Sequence, residues 1–228
     1  VITSYAEAAI QIVSTEDNDN SILEVSNEIS KEPSLNARSA VILDRTSKQI
    51  IYGKDENSIR KMASTTKIMT AIIVIENSNL NDIVEVSKTA ASIQGSRLGL
   101  KTGDKISIND LLYGLMLCSG NDAALALAQY IGGSIEGFSE LMNKKAEDLN
   151  LTNTHFSTPH GLDNDDHYTT AYELALLTDY ALQNPTFAKI VNTKSITVNI
   201  NGYPKTLSNT NELLGYLNGV YGVKTGFT

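Results

Sequence analysis

Residues 63–76 read ASTTKIMTAIIVIE, which is the most informative segment for the architecture of the chain. From Ile68 to Glu76 the side chains are apolar on nearly every side, and this pattern predicts a helix that is buried all round. Ser64 suits the N-cap or first turn of that helix. Because residues three apart share a helix face, the Lys67 amine can reach the Ser64 hydroxyl.

The pairing of Ser64 with Lys67 has a chemical interpretation. A serine hydroxyl is a poor nucleophile unless a base takes its proton. Burial, the helix dipole and nearby cations would all favour a neutral Lys67, the form that can act as this base. The S-x-x-K pattern alone is weak, since a surface capping serine followed by an ordinary lysine has the same spacing. A lysine on a buried helix, however, is energetically costly, and this cost makes an ordinary surface lysine a less favoured interpretation.

The segments on either side of this helix predict the fold class. Upstream, apolar residues 40–43 and 49–52 flank a turn-like stretch and predict a β-hairpin. Downstream, helical patterns dominate, and a second hairpin is predicted around Asn201-Gly202. We therefore expect an α/β fold in which an antiparallel sheet carries a mostly helical inserted subdomain. The predicted downstream elements are helices over 111–117, 123–130, 135–149 and 170–182, strands over 195–200 and 203–207, and a final strand over 220–228.

The first 36 residues differ from the rest of the chain. They are polar and acidic, with the run STEDNDN at 14–20 and only a weak apolar periodicity. They lack the basic and apolar regions of a signal peptide. We interpret residues 1–36 as a polar N-terminal arm and residues 37–228 as the main domain.

A second motif, Ser119-Gly120-Asn121, lies between two predicted helices. A serine hydroxyl there could pass on a proton, and an asparagine amide could hold a substrate carbonyl. The structural alternative is a helix-breaking turn in which Asn121 or Asp122 caps the next helix.

A third motif, Lys224-Thr225-Gly226, lies on the predicted final strand. A cation beside a hydroxyl suits a carboxylate ligand, and glycine permits close approach to the strand. A plain edge strand is the structural alternative. The same triplet occurs at Lys101-Thr102-Gly103, but there it precedes Asp104 and a capped helix, so we interpret it as a turn.

The order S-x-x-K, S-x-N, K-T-G is specific when the three motifs are taken together. With it, the chain resembles the serine D-alanyl-D-alanine carboxypeptidases, the low-molecular-mass penicillin-binding proteins. The resemblance covers roughly residues 37–228 and leaves the arm unmatched. It also includes the stretches ASTTKIMT at 63–70, SGNDAA at 119–124, NTHF at 153–156, HGLD at 160–163 and GVKTGFT at 222–228.

The resemblance implies a penicillin-binding-protein and β-lactamase-like fold and a role for each motif residue. Ser64 would be the acylated nucleophile, Lys67 its base, and Ser119 the group that passes the proton to the leaving D-alanine. Asn121 would orient the substrate amide. The remaining implied substrate contacts are Lys224 and Thr225 for the terminal carboxylate, Gly226 on the strand, and the backbone N–H groups of Ser64 and Phe227 as the oxyanion hole.

The implied function is removal of the terminal D-alanine from peptidoglycan stem peptides through an acyl-enzyme. Stem peptides that end in D-Ala-D-Ala would be the substrate, and β-lactams would be covalent inhibitors. Such a substrate lies outside the cytoplasmic membrane, so we expect an extracytoplasmic location, secreted or in the cell envelope. Members of this family usually carry a second β-rich domain and a C-terminal membrane anchor, and neither is present in these 228 residues.

Composition argues against several other classes. Lys and Arg number 18 against 26 Asp and Glu, and the net charge of −8 disfavours nucleic-acid binding. A lone Cys118 gives neither a disulfide nor a metal-type cysteine pair. The three histidines, at 155, 160 and 167, lie near Asp163, Asp165 and Asp166 but match no metal motif. We expect no metal and no organic cofactor.

Two related functions remain as alternatives. A class A β-lactamase needs a glutamate to activate the deacylating water, and residues 150–172 contain none. A non-hydrolytic penicillin- or peptidoglycan-binding relative would have no need of a lysine base. The balance between carboxypeptidase, endopeptidase and transpeptidase activity leaves no mark that the sequence alone reveals.

The position of the third motif suggests that the domain is truncated at its C-terminal side. Thr228 lies two residues past Gly226, whereas a family domain continues with further strands and a closing helix. We therefore expect residues 1–228 to be a fragment, poorly folded or weakly active alone. Any membrane attachment would come through a part that follows.

Overall fold

The computed structural model describes residues 33–162 and 165–227. Most of the predicted N-terminal arm, residues 1–32, lies outside these ranges, as do Asp163, Asn164 and Thr228. A compact unit begins at Arg38. The division between arm and domain at residue 37 stays a prediction.

Seven α-helices in the described residues enclose one apolar core, and the predicted α/β class is confirmed. The first of them is buried from Lys67 to Val74 and contacts five of the others, so it is the central helix of the domain. The helices are α1 Lys67–Asn77, α2 Lys88–Ser92, α3 Ile108–Leu117, α4 Asn121–Gly132, α5 Ile135–Asp148, α6 Ala171–Leu182 and α7 Pro185–Val191.

The strands of the described chain form three separate antiparallel pairs. In the last pair Ile200 faces Tyr203 across Asn201-Gly202, whose φ angles are both positive, as the Asn-Gly signature predicts. The pairs are β1 Ala40–Leu43 with β2 Ile50–Lys54, β3 Ile83–Glu85 with β4 Lys105–Ser107, and β5 Ser195–Ile200 with β6 Tyr203–Ser208.

The predicted final strand is not present among the residues that the structure describes. Residues 220–227 have no regular structure, and the strand prediction for 220–228 is wrong for the part described. A strand exists only as a partner in a hydrogen-bonded ladder. In the described chain the Val220 N–H bonds instead to the Leu217 carbonyl within a turn, and no strand pairs with this segment.

Three short elements, β3, β4 and α2, were not predicted, because three to five residues are too few to show a period. Helix α7 was missed for a different reason. Pro185 follows α6 and is typical of a helix end, but it is also the first residue of α7. The Asn184 side chain accepts the N–H groups of Thr186 and Phe187, which caps the new helix.

Among the described helices none is both long enough and apolar enough to cross a bilayer.

Candidate active site

Ser64 lies in a 3-10 turn, Ala63–Thr66, that leads directly into α1. It was predicted at the N-cap or first turn of the helix, but its hydroxyl caps nothing. Instead the Thr65 hydroxyl donates to the Met62 carbonyl at 2.5 Å, and the Thr66 hydroxyl donates to the Ala63 carbonyl at 2.7 Å. The threonines therefore hold the turn, and the Ser64 side chain is left to contact Lys67.

The amine of Lys67 lies at the centre of the site. Its Nζ is 3.0 Å from Ser64 Oγ, 2.9 Å from Asn121 Oδ1 and 2.7 Å from the His160 carbonyl oxygen. The side chain is fully buried. The amide and carbonyl oxygens can only accept, whereas the hydroxyl can also donate. A neutral amine can therefore donate to Asn121 and His160 and keep its lone pair for the proton of Ser64.

The pKa of Lys67 is lowered from 10.5 to about 7, chiefly because the amine is buried. The positive charge of Lys224 contributes to this lowering, and the negative charge of Asp122 opposes it. The neutral form needed for proton abstraction is thus available near neutral pH.

Asn121 is the first residue of α4, and its amide has one defined orientation. Its Nδ2 donates to the Gln94 carbonyl at 2.7 Å, which turns Oδ1 toward Lys67. Its backbone N–H donates to the Ser96 carbonyl at 2.8 Å. The loop that contains Gln94 and Ser96 therefore holds Asn121 by both its side chain and its backbone.

Asp122 organises this loop, and the sequence interpretation missed it. The carboxylate is fully buried and accepts the N–H groups of Leu98, Gly99 and Leu100 at 2.7–2.9 Å. It also lies in the first turn of α4, where the helix dipole favours negative charge. Its place next to Asn121 was visible in the sequence, but nothing there indicated that it was buried.

The third motif lies beside the Ser64 turn. A Cβ built on Gly226 would be 3.3 Å from Thr65 Cγ2 and 3.6 Å from Ala63 Cβ, so the two segments are in contact. Lys224 is half-buried, and this burial lowers its pKa to about 8. Its Nζ donates to the Thr225 carbonyl at 2.7 Å, and Thr225 Oγ1 is 2.9 Å from Thr210 Oγ1.

For two of the predicted site residues, Ser119 and Phe227, the structure gives no direct hydrogen bond to Lys67 in the described chain. Ser119 is buried between α3 and α4 with a positive φ of 57°, but it is not one of the hydrogen-bond partners of Lys67 in the described chain. Phe227 follows the third motif with its side chain 95% exposed. The roles predicted for these two residues stay predictions.

The loop before α6 closes the other side of the site. The His160 carbonyl accepts from Lys67, and the Pro159 carbonyl accepts from Thr70 Oγ1 at 2.7 Å. The His160 ring is buried, and burial with the nearby charge of Lys67 lowers its pKa to about 4. Gly161 is so close to the Ser64 turn that a Cβ would lie 1.9 Å from the Ala63 carbonyl oxygen.

The second Lys-Thr-Gly triplet is a turn, as predicted. The Lys101 N–H donates to Asp104 Oδ2, and the Asp104 N–H donates back to the Lys101 carbonyl. Lys101 is exposed. This triplet is therefore a natural control for the one at Lys224.

The arrangement places an amine that can be neutral within hydrogen-bond distance of both a serine hydroxyl and an oriented amide. Such a set can activate the hydroxyl for attack on a carbonyl carbon. Lys224 adds a cation next to it, as the anchoring of a substrate carboxylate requires.

Comparisons with known proteins give one consistent result. The sequence model of the D-alanyl-D-alanine carboxypeptidase family matches residues 26–228, a start earlier than the residue 37 expected from the motifs. D-alanyl-D-alanine carboxypeptidase DacF of Bacillus subtilis is 38% identical over 84% of this chain and 51% of its own length. D-alanyl-D-alanine carboxypeptidase DacD of Escherichia coli is 39% identical over 86% of this chain and 53% of its own length.

A solved structure agrees with these sequence matches. The crystal structure of the Streptomyces K15 DD-transpeptidase superposes with a TM-score of 0.82 at 36% identity, over 86% of this chain and 82% of that one. The chain spans about half the length of the two curated relatives from B. subtilis and E. coli.

The close approach of Gly161 to Ala63 gives a test of how the site is held together. Gly161→Ala should destabilise the protein more than Gly103→Ala, by about 2 kcal/mol or more, because both glycines have nearly the same φ, +83° and +84°, but only Gly161 has an atom in the way. Urea denaturation of both variants measures the difference. Equal losses would show that the loop does not press on the Ser64 turn.

Proposed function

The chain belongs to the D-alanyl-D-alanine carboxypeptidase family, and on that premise we propose that it cleaves the terminal D-Ala-D-Ala bond of peptidoglycan stem peptides through an acyl-enzyme on Ser64. The observation that carries the proposal is the position of Lys67 Nζ, 3.0 Å from Ser64 Oγ and held by two oxygen atoms that can only accept hydrogen bonds.

In the first step Ser64 Oγ attacks the carbonyl carbon of the penultimate D-alanine, and the neutral Lys67 amine takes the hydroxyl proton. The developing oxyanion is stabilised by the backbone N–H groups of Ser64 and Phe227. When the C–N bond breaks, a proton passes to the leaving D-alanine amine, with Ser119 as the proposed carrier. Water then hydrolyses the Ser64 ester and restores the hydroxyl.

Substrate binding is assigned to groups around this centre. Asn121 would contact the amide of the stem peptide while its Oδ1 remains bound to Lys67. Lys224 and Thr225 would bind the terminal carboxylate, which the cation and hydroxyl suit, and Gly226 would let the peptide approach the backbone. We place this activity outside the cytoplasmic membrane, where stem peptides in the wall are found. β-Lactams would acylate the same serine, and no metal or organic cofactor takes part.

A β-lactamase function has no support from the structure. The first glutamate after residue 150 is Glu173, and its carboxylate accepts the backbone N–H of Asn153 at 2.9 Å and the Thr154 hydroxyl at 2.5 Å. These bonds hold the carboxylate at the turn of Asn153 and Thr154, and in the described chain it is not a hydrogen-bond partner of Ser64 or Lys67. The acyl-enzyme formed with a penicillin should therefore be long-lived.

Penicillin should add one covalent equivalent to the protein, on Ser64. Ser64→Ala should abolish the label and lower peptide turnover by roughly 10³-fold or more, as loss of a nucleophile does. Intact mass and peptide mapping give the answer, and Ser92→Ala, at an exposed serine of α2, should label normally. Labelling that persists in Ser64→Ala would refute the assignment. Penicillin turnover as fast as peptide turnover would favour a β-lactamase.

Acylation should have a bell-shaped pH dependence with its optimum between pH 7 and pH 8. The base must be neutral, so the rate should decrease at pH values below the Lys67 pKa of about 7. The anchoring cation must be charged, so the rate should also decrease at pH values above the Lys224 pKa of about 8. The second-order rate constant for penicillin, measured from pH 5 to pH 10 with circular dichroism as a control for unfolding, tests this. An acid flank well below pH 6 would contradict the proposed role of Lys67.

The two Lys-Thr-Gly triplets should be unequal. Lys224→Ala should slow acylation and peptide hydrolysis by roughly ten- to a hundredfold, because it removes a charged carboxylate partner. It should also move the acid flank to higher pH, since the Lys224 charge lowers the pKa of Lys67. Lys101→Ala is the matched control and should leave rate and pH profile near wild type. Equal damage from both substitutions in folded protein would refute the placement of the site.

A further inference from the structure

The buried ring of His167 has no part in the proposed reaction, yet it is connected to the Ser64 turn. The residue is 2% exposed, and its Nδ1 accepts the Ser157 N–H at 3.0 Å. A nitrogen that accepts carries no proton, so the proton of the neutral ring is on Nε2. Nε2 lies 2.7 Å from Thr66 Oγ1, and it is therefore the donor in this contact.

The direction of the next hydrogen bond follows from this tautomer. Thr66 Oγ1 accepts from His167 and donates its own proton to the Ala63 carbonyl, 2.7 Å away. Thr66 is fully buried, so water does not compete for its hydroxyl. The pair of bonds from His167 to Thr66 and from Thr66 to Ala63 is called the His167–Thr66 link below.

The link ends on the peptide unit that carries the Ser64 N–H. A trans peptide is planar, so the Ala63 carbonyl and the Ser64 N–H point in opposite directions, and fixing one fixes the other. Ala63 has a φ of +46°, which is uncommon for a residue with a Cβ. The Ser64 N–H itself has no hydrogen-bond partner among the residues that the structure describes, so it is available to a ligand.

We propose that His167 is a positioning residue that acts through Thr66 to aim the Ser64 N–H at the developing oxyanion. The inference rests on the proposed function, in which this N–H is one of the two oxyanion-hole donors. Such a donor acts only if it is in place before the reaction, and a misplacement of about 1 Å can cost on the order of a hundredfold in rate. His167 touches neither substrate nor nucleophile, so its effect is on the acylation step and not on binding.

The test separates acylation from binding in the full chain. Stopped-flow measurements with a fluorescent penicillin give the dissociation constant of the first complex and the acylation rate constant. Thr66→Val keeps the side-chain shape and removes the link, so the acylation rate constant should fall by roughly ten- to a hundredfold while the dissociation constant changes less than about threefold. Thr66→Ser keeps a hydroxyl and should recover most of the rate.

Thr178→Val is the matched control, because it also removes a 2.7 Å bond from a threonine hydroxyl to a backbone carbonyl, that of Leu174, but in α6. It should acylate like wild type. If Thr66→Val does not fold, His167→Phe and His167→Gln give the same comparison. Phenylalanine removes the link and keeps the edge-on packing against Phe156, whereas glutamine can still donate to Thr66.

The outcomes distinguish the two proposals. A wild-type protein that penicillin does not acylate overturns the proposed function and this inference with it. If wild type is acylated on Ser64, a normal acylation rate constant in Thr66→Val or in His167→Phe overturns the positioning role alone. So does a loss that Thr66→Ser and His167→Gln fail to reverse, or one that appears only in the dissociation constant.

Discussion

The three hydrogen bonds of the Lys67 amine are the constraint on which the rest of the site depends. They join the Ser64 turn, the start of α4 at Asn121 and the loop at His160, three segments that are far apart in sequence. A buried amine needs all three partners, because a polar group without a partner in the interior is costly. Each segment therefore has its correct position only when the other two are in place, and the geometry around Lys67 forms together with the tertiary structure.

Buried carboxylates that accept backbone N–H groups hold the loops around this centre in place. The Asp122 carboxylate gathers the loop around Leu98 and Gly99, and that loop in turn fixes the amide of Asn121. Glu173 has the same role at the turn of Asn153 and Thr154, next to the start of α6. In both cases a carboxylate in the first turn of a helix organises the loop packed against it, which explains how loops with little regular structure can hold a site in place.

The parts of the structure that the sequence made predictable are those that local chemistry specifies. The all-round apolar pattern after Lys67 gave α1, and Asn201-Gly202 gave the second hairpin. The spacing of Ser64 and Lys67 predicted their contact, which is a property of one turn of chain. The contacts made across the fold could not be derived in this way. Nothing local indicates that Asp122 is buried, that Thr66 contacts His167, or that residues 220–227 pair with no strand of the described chain.

The burial of Lys67 also affects the folded state as a whole. In the unfolded chain this amine keeps its proton up to a pH near 10.5, whereas the native protein releases it near 7, so folding at neutral and mildly alkaline pH is coupled to proton release. This difference in the pKa of Lys67 lowers the free energy of unfolding by roughly 5 kcal/mol below pH 7. The loss becomes gradually smaller as the pH rises toward 10.5. The buried amine of Lys67 thus destabilises the native state at neutral pH, and the apolar core around α1 has to offset this cost. The same amine that is proposed to activate Ser64 makes the native state less stable at neutral pH than an apolar side chain of the same size would.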